Sequence, residues 1–429
     1  MRVFPRQFWL FVAGVFLFNV AIAVGMPYET LFLSSTMHFS MTTVGILWGV
    51  AAFAGLPMQL VGGVVTDRRG RRGVLVVSAA TIIFFYTGMA LAHHVWQIAV
   101  IAIVEGAIGW PLFLTASNAM IADWLPVERR PEAYGIWRLA ISAGVIFGPA
   151  IAGLLIAAHY SYRVLFATAS VGCGVFLAVI LLWIKETKPG GAGHAAMTDA
   201  REGVGQIGVG GGAEEAILAA AEAPEFESVG DAFASYRTIF RDRRFLAFSL
   251  VALLTLFCFG QFLWIFPVYL VRTLGMAPES WGLLLAVCGT TIAVLQYPLV
   301  RVARHRDNLL VMALASLLIA AGLGGAAFAV GGWTVGVFVV VFSVGEVLFW
   351  PISSSIVSDY APEELRGRYM GAWTMVDCFG RGLGPMFGGW ALGALGGRQT
   401  FFVDLLVGLV GAALFILLSI KQRRPVVSA

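Results

Sequence analysis

The sequence predicts an all-α membrane protein with twelve transmembrane helices in two pseudo-symmetric six-helix halves. Three observations lead there. Of the 429 residues, 59% are hydrophobic and 12% charged, against about 45–50% and about 25% in ordinary soluble domains. The apolar residues gather into twelve long runs, each near the roughly 20 residues that cross the hydrocarbon as a helix. The two halves also share a pattern of Gly, Pro and charged residues displaced by 236 positions. This composition excludes a soluble globular enzyme, a disordered chain and a secreted disulfide scaffold.

The runs cover roughly 8–33, 41–66, 73–92, 95–122, 132–157, 161–184, 245–271, 279–301, 308–330, 333–358, 369–394 and 399–420. The first is too long for a signal peptide and lacks a small-residue cleavage site, so it is read as a retained span. Long continuous runs favour helices over the short alternating strands of a barrel. Arginines mark one side. Arg68, Arg69, Arg71 and Arg72 follow span 2, Arg129 and Arg130 follow span 4, Arg301, Arg304 and Arg306 follow span 8, and Arg366 and Arg368 follow span 10. Arg2, Arg6, Lys421, Arg423 and Arg424 at the chain ends fall on the same side, while the opposite loops offer Arg163, Arg272 and Arg398. By the positive-inside rule both termini are cytoplasmic, in a multi-pass protein of the cell membrane. Topology also accounts for the net charge of +4, so the lipid bilayer is the implied partner and nucleic acid is not.

Residues 186–240, rich in Gly, Ala and Glu, read as a flexible cytoplasmic linker between halves at 1–185 and 241–429. Residues 213–223 could form a short surface helix there. Cys173, Cys258, Cys288 and Cys378 lie at irregular spacing in apolar segments. They indicate neither a metal site nor a disulfide framework. No cofactor motif occurs.

The repeat is most evident after spans 4 and 10. Asp123, Pro126, Glu128 and Arg130 align without a gap on Asp359, Pro362, Glu364 and Arg366. Gly144, Gly148, Pro149 and Gly153 align on Gly380, Gly384, Pro385 and Gly389. Two parallel six-span repeats joined by a linker are the layout of alternating-access carriers, with the substrate site between the halves.

Between spans 2 and 3 runs Gly63-Val64-Val65-Thr66-Asp67-Arg68-Arg69-Gly70-Arg71-Arg72. Gly63 permits close helix approach, Asp67 suits a helix N-terminus, and Gly70 suits a tight turn. This segment resembles the signature loop of the major facilitator superfamily, matching every defining position. The resemblance implies a cytoplasmic latch: Arg71 pairs with Asp123 at the inner end of span 4, and Asp67 meets the start of span 11. The second half lacks the loop, with Arg304 near the Asp position. Gly144-Val145-Ile146-Phe147-Gly148-Pro149-Ala150-Ile151-Ala152-Gly153 resembles the span-5 element of the superfamily's drug:proton antiporters, with Ala152 at one glycine position. Its counterpart at Gly380–Gly389 makes it less specific to antiport. The Arg that many proton-coupled members carry in mid-span 4 is absent. Ala102 stands at that position, with Glu105 beside it.

Ionisable groups in hydrocarbon are costly and functional by default. Glu346, Glu105 and Glu29 lie on spans 10, 4 and 1, which line the central cavity in the superfamily. They are the proton-coupling candidates, with Asp377 a fourth. Asp377 and Arg381 share one helix face as an acid–base pair, and Arg138 could pair with Glu105. Trp110, Gln261, Trp264 and Trp350 are candidates for the cavity wall, where aromatic faces suit cations. The expected activity is alternating-access, proton-coupled efflux of hydrophobic or cationic drug-like compounds by a monomer. A metabolite or sugar symporter or uniporter on the same fold is the alternative. A membrane sensor or membrane-embedded enzyme is less supported, since no loop carries a catalytic constellation.

Overall fold

The computed structural model describes residues 4–126, 129–187, 239, 241–303, 305–362 and 365–423. Every regular element among them is helical. The linker expected at 186–240 and the surface helix expected at 213–223 lie outside the described residues, except for Glu186, Thr187 and Ile239.

Six helices build the first half: α1 (Arg6–Thr36), α2 (Met41–Ala54, resuming at Leu56–Arg69), α3 (Arg71–Leu91), α4 (Val95–Trp124), α5 (Arg130–Ala157) and α6 (Tyr162–Trp183). Six more build the second: α7 (Arg243–Trp264, resuming at Phe266–Arg272), α8 (Glu279–Ala303), α9 (Asn308–Gly325), α10 (Gly332–Tyr360), α11 (Arg366–Ala394) and α12 (Gly397–Arg423). Eleven of these stretches are long and apolar enough to cross a membrane. The exception is α11, whose 29 residues include Arg366, Arg368, Asp377, Arg381 and many glycines. It packs against α2 and α7 as a full member of the bundle, and its Asp377 is buried there.

Helix ends follow local chemistry. Ser40, Asp242 and Asp307 cap α2, α7 and α9 by accepting backbone N–H groups with their side-chain oxygens. The chain turns from α2 to α3 through the single residue Gly70 at φ +88°, a conformation that strains any residue with a Cβ. Interior breaks coincide with prolines and with wide turns. In α1 a 3-10 turn at Met26–Tyr28 contains Pro27 and precedes a π-turn at Phe32–Thr36. In α4 a π-turn at Glu105–Gly109 precedes Pro111. In α7 the helix breaks at Ile265, before Pro267.

Each half has its own apolar core. Phe8, Phe11, Phe18, Phe113 and Phe176 anchor the first. Phe248, Phe259, Phe262, Phe266 and Phe342 anchor the second, which continues into α1 at Val24, Tyr28 and Leu31. The halves meet along two seams, α2 on α11 and α5 on α8, both built from the repeated Gly-Pro element. Gly144 and Gly148 receive α1 at Asn19, Val20 and Ala23, while the Pro149 carbonyl and Gly153 lie against Gly282 of α8. In the second half Gly380 and Gly384 receive α7 at Leu256, Phe257 and Gly260, while the Pro385 carbonyl and Gly389 lie against Gly45 of α2. In both halves, then, the element joins its own first helix on one face and the opposite half on the other.

One end of the bundle, the end carrying Arg68–Arg72, will be called basic. At the far end the halves are closed. Trp48 of α2 stacks on Trp264 of α7 with ring centroids 4.5 Å apart. The Trp281 indole N–H donates to the Pro27 carbonyl at 3.0 Å, and the Arg272 guanidinium donates to the Ser34 carbonyl.

A side chain at Gly45 would meet Pro385 and Gly389 backbone. Gly45→Val is therefore expected to pry α2 from α11 and destabilise the fold by about 1–3 kcal/mol. Thermal unfolding in detergent measures this. Gly63→Ala, placed where a Cβ meets nothing within 4 Å, is the control that leaves the midpoint in place.

Candidate functional site

A cleft of about 420 Å³ opens at the basic side between α5 of the first half and α8, α10 and α11 of the second. Its walls include Arg138, Gln296, Trp350, Ser354, Trp373 and Asp377. Its position follows from the seams. The halves are pressed together at the far end, and the cleft lies between Arg138 of α5 and Asp377 of α11. Asp377 is buried and holds Arg381 through an ion pair of 2.8 Å. The Arg381 guanidinium carbon lies 5.9 Å from the centroid of the Trp350 ring. Glu346 sits one turn before Trp350 on α10, its cationic neighbours being Arg138 and Arg381. Cys288 Sγ of α8 approaches Glu346 Oε2 to 4.0 Å. Gln59 of α2 donates to Cys378 Sγ at 2.8 Å, connecting the opposite half to the residue after Asp377. The cleft wall thus combines the aromatic faces of Trp350 and Trp373 with the Asp377 carboxyl group and, from the opposite half, the Arg138 guanidinium; Arg381 is paired to Asp377 and Glu346 stands beside Trp350.

Two further carboxyl groups, those of Glu29 and Glu105, lie inside the first half. Glu29, on the broken segment of α1, is 2% exposed. It lies within hydrogen-bonding reach of the Tyr86 hydroxyl, with Glu105 as a further neighbour. Tyr86 also contacts the Ile22 carbonyl, donating to it at 3.2 Å. Glu105 occupies the π-turn of α4, where Gly109 leaves room for it: a Cβ at Gly109 would stand 3.0 Å from Glu105 Oε1. Wide turns of this kind recur at functional sites.

At the basic end Arg71 joins three elements. Its Nε donates to Asp123 Oδ2 of α4 at 3.0 Å, and its Nη2 pairs with Asp67 Oδ1 at 3.0 Å. Its backbone N–H donates to Glu186 Oε1 at 2.9 Å, and the Arg72 N–H reaches the same carboxylate. Glu186, just past α6, thereby satisfies the free N–H groups at the start of α3, where negative charge is favoured. Gly70 is required twice, by its φ and because a Cβ there would collide with the Glu186 carboxylate. Thr187 adds a hydroxyl bond to Asp123 at 2.8 Å. In the second half Asp307 replaces Arg71 at the equivalent position and caps α9 instead.

Several expected placements are revised. Arg138 faces the α8–α10–α11 cleft with Glu346, not Glu105, because α5 turns that face toward α8. Gln261 is wholly buried within the second half. It bonds to Asp404 of α12 at 2.6 Å, so it does not line the cleft. Trp264 belongs to the far-end closure. Trp110 stacks on Phe113 inside the first half. Gly63 makes no close helix approach among the described residues. Asp67 has no partner on α11 among the described side chains, its own side chain being 47% exposed. Glu29 is enclosed within the protein. Glu186, Trp48 and Asp404 escaped the sequence reading. Glu186 stood at the edge of the linker, Trp48 in a uniformly apolar run, and Asp404 alone in span 12.

Comparison with known proteins agrees with this architecture. The family model of the Major Facilitator Superfamily matches residues 9–384 and, in an overlapping second match, 265–428. The chain belongs to that superfamily and is a membrane transporter of its kind. It is 25% identical over 395 residues to a Na(+), Li(+), K(+)/H(+) antiporter of Planococcus maritimus, covering 87% of each chain. It is 22% identical over 420 residues to the multidrug resistance protein MdtH of Cronobacter sakazakii, covering 95% of this chain and 93% of that one. Among solved structures, that of a mutant of the nucleoside transporter NupG superposes with a TM-score of 0.76 at 11% identity, covering 96% of this chain and all of that one. At that identity the likeness concerns the fold.

Two variants test the latch by thermal unfolding. Glu186→Ala removes a cap and is expected to cost about 0.5–2 kcal/mol. Gly70→Ala adds backbone strain of about 1–3 kcal/mol and displaces Glu186. Unchanged midpoints in both would show that Glu186 does not hold Arg71 and Arg72.

Proposed function

We propose that this protein is a proton-coupled antiporter that exports hydrophobic or cationic drug-like compounds by alternating access. The observation that carries this reading is the cleft at the basic end, whose wall holds Asp377, Trp350 and Trp373, with Glu346 beside Trp350. The positive-inside rule assigns the basic end and both termini to the cytoplasm, which makes the described conformation inward-open.

The steps follow from charge in a medium of low dielectric. A carboxyl group there is neutral or paired with a cation. In the inward-open state a flat cationic compound competes with Arg381 for the face of Trp350, while Arg381 remains on Asp377. The arriving positive charge displaces the proton of Glu346 toward the cytoplasm. The halves then pivot on the Gly-Pro seams. The Arg71 and Asp67 latch engages α11, and the Trp48–Trp264 stack parts. Protonation of Glu346 from outside expels the compound and restores a neutral cavity for the return. Glu29 and Glu105 supply a further carboxyl pair in the first half. One complete cleft per chain suits a monomer as the working unit. The name of the MdtH relative supports drug export.

A second reading is exchange of a monovalent cation for protons. It is favoured by the nearness of Glu29 to Glu105 and by the named activity of the Planococcus relative. Sugar symport has less support, since Gln296 is the one amide side chain named in the cleft wall.

Purified protein in liposomes bearing a pH gradient tests these readings. Antiport predicts that a lipophilic cation dissipates the gradient and that Glu346→Gln reduces the effect to background while ligand-induced thermal stabilisation persists. Dissipation by sodium or lithium but by no organic compound would select the second reading. Transport indifferent to pH would refute both.

A further inference from the structure

A polar pair lies deep in the second half, away from the cleft. Asp404, in the first third of α12, and Gln261 of α7 both have no exposed surface. Gln261 Nε2 donates to Asp404 Oδ1 at 2.6 Å. The remaining two oxygens, Asp404 Oδ2 and Gln261 Oε1, are buried and have no hydrogen-bond partner. Buried polar atoms are seldom left in this state.

The neighbours have no donor to spare. The Cys258 thiol points to the Asp404 backbone carbonyl at 3.5 Å. The Thr255 and Ser316 hydroxyls bond each other at 2.8 Å, and Ser316 reaches the Gly408 carbonyl at 3.2 Å. Among the described residues no charged group compensates a carboxylate here. On α7 the titratable neighbour is Cys258. Helix α9 contains no ionisable residue, and neither Asp377 nor Arg381 of α11 acts on Asp404.

One proton satisfies both oxygens. A carboxylic acid and a primary amide are complementary: the amide N–H donates to one carboxyl oxygen while the acid O–H donates to the amide oxygen. Turning the Gln261 amide over would place two oxygens 2.6 Å apart and again require a proton between them. A neutral acid also removes the cost of a bare charge in the bundle interior. We propose that Asp404 binds a proton as an acid–amide pair with Gln261, a second proton site that ties α12 to α7 while the far end is closed.

The fold gives the pair leverage. Gln261 lies three residues before Trp264 of the far-end stack and four before the break at Ile265. It is confined from the other side as well, since Gly388 of α11 leaves the space its amide oxygen fills. Deprotonation would set a carboxylate against that oxygen and release α7 next to the closure. The site does not depend on the antiport reading, because its occupancy can be read without transport.

Infrared spectra of the full-length protein in phospholipid vesicles at neutral pH test it. A neutral carboxylic acid C=O band, sensitive to deuterium exchange, is expected in the parent. It should be lost in Asp404→Asn, which preserves shape and amide pairing, and kept in Glu346→Gln, Glu105→Gln and Glu29→Gln. Moving the acid across the pair, in Asp404→Asn with Gln261→Glu, should restore it. A spectrum unchanged by Asp404→Asn overturns the proton site, and no recovery in the double variant overturns the pairing. For the gate, a Ser34→Cys thiol, read above the background of the same protein without it, should become reactive as pH rises from neutral to alkaline. With Asp404→Asn added it should stay protected. Equal reactivity in both overturns the link to α7.

Discussion

Hydrocarbon offers no partner to a backbone N–H, a carbonyl or a charge, and this constraint governs the molecule. It makes every described element a helix, and it confines irregular backbone to places where protein or a polar cleft surrounds it. The breaks in α1 and α4 carry Glu29 and Glu105, and the α1 break also meets the second half, where Trp281 donates to the Pro27 carbonyl. The break in α7 lies beside the far-end closure, next to Trp264. Backbone groups freed from the helical ladder and carboxyl groups that need partners are thus collected in the same few regions.

The second constraint is mechanical. Two rigid bundles can rock only where their contact is narrow and smooth, and glycine backbones provide such a contact. One sequence element, used twice, joins each half to the other near the far end. Its proline carbonyl meets glycine Cα, and the side chains that cross the seams, Met386 and Ile146, seat against Gly49 and Gly289. The basic end holds the complementary arrangement, a cleft between Arg138 of α5 and Asp377 of α11 and a charged cluster around Arg71. That cluster is asymmetric: Asp307, at the position equivalent to Arg71, caps α9 instead.

Much of this was legible beforehand. Long apolar runs can only be spans, and the twelve observed helices fall within a few residues of their expected bounds. The pairing of Arg71 with Asp123 followed from the resemblance of the loop, and Asp377 with Arg381 from spacing on one helix. The misplacements share a cause. Arg138, Gln261 and Trp264 were assigned to the right helices but to the wrong neighbours. In a helix apolar on all sides, the hydrophobic pattern does not mark which face looks inward. Asp404 is the sharpest case. A single acid in an apolar run has no local signature, and its partner lies 143 residues away.

The amino-acid sequence alone therefore determined the class of fold, the number and order of spans, the internal repeat and the residue types able to carry charge across a membrane. These follow from the free energy of transferring each segment into hydrocarbon, a property that is summed along the chain. Only the tertiary structure decided how each helix is rotated, which acid meets which base, where the halves touch and which end is open. Those choices depend on packing between segments far apart in sequence. Glu346 beside Arg138, Glu186 on Arg71 and Asp404 on Gln261 are contacts that arise once twelve helices have found their neighbours.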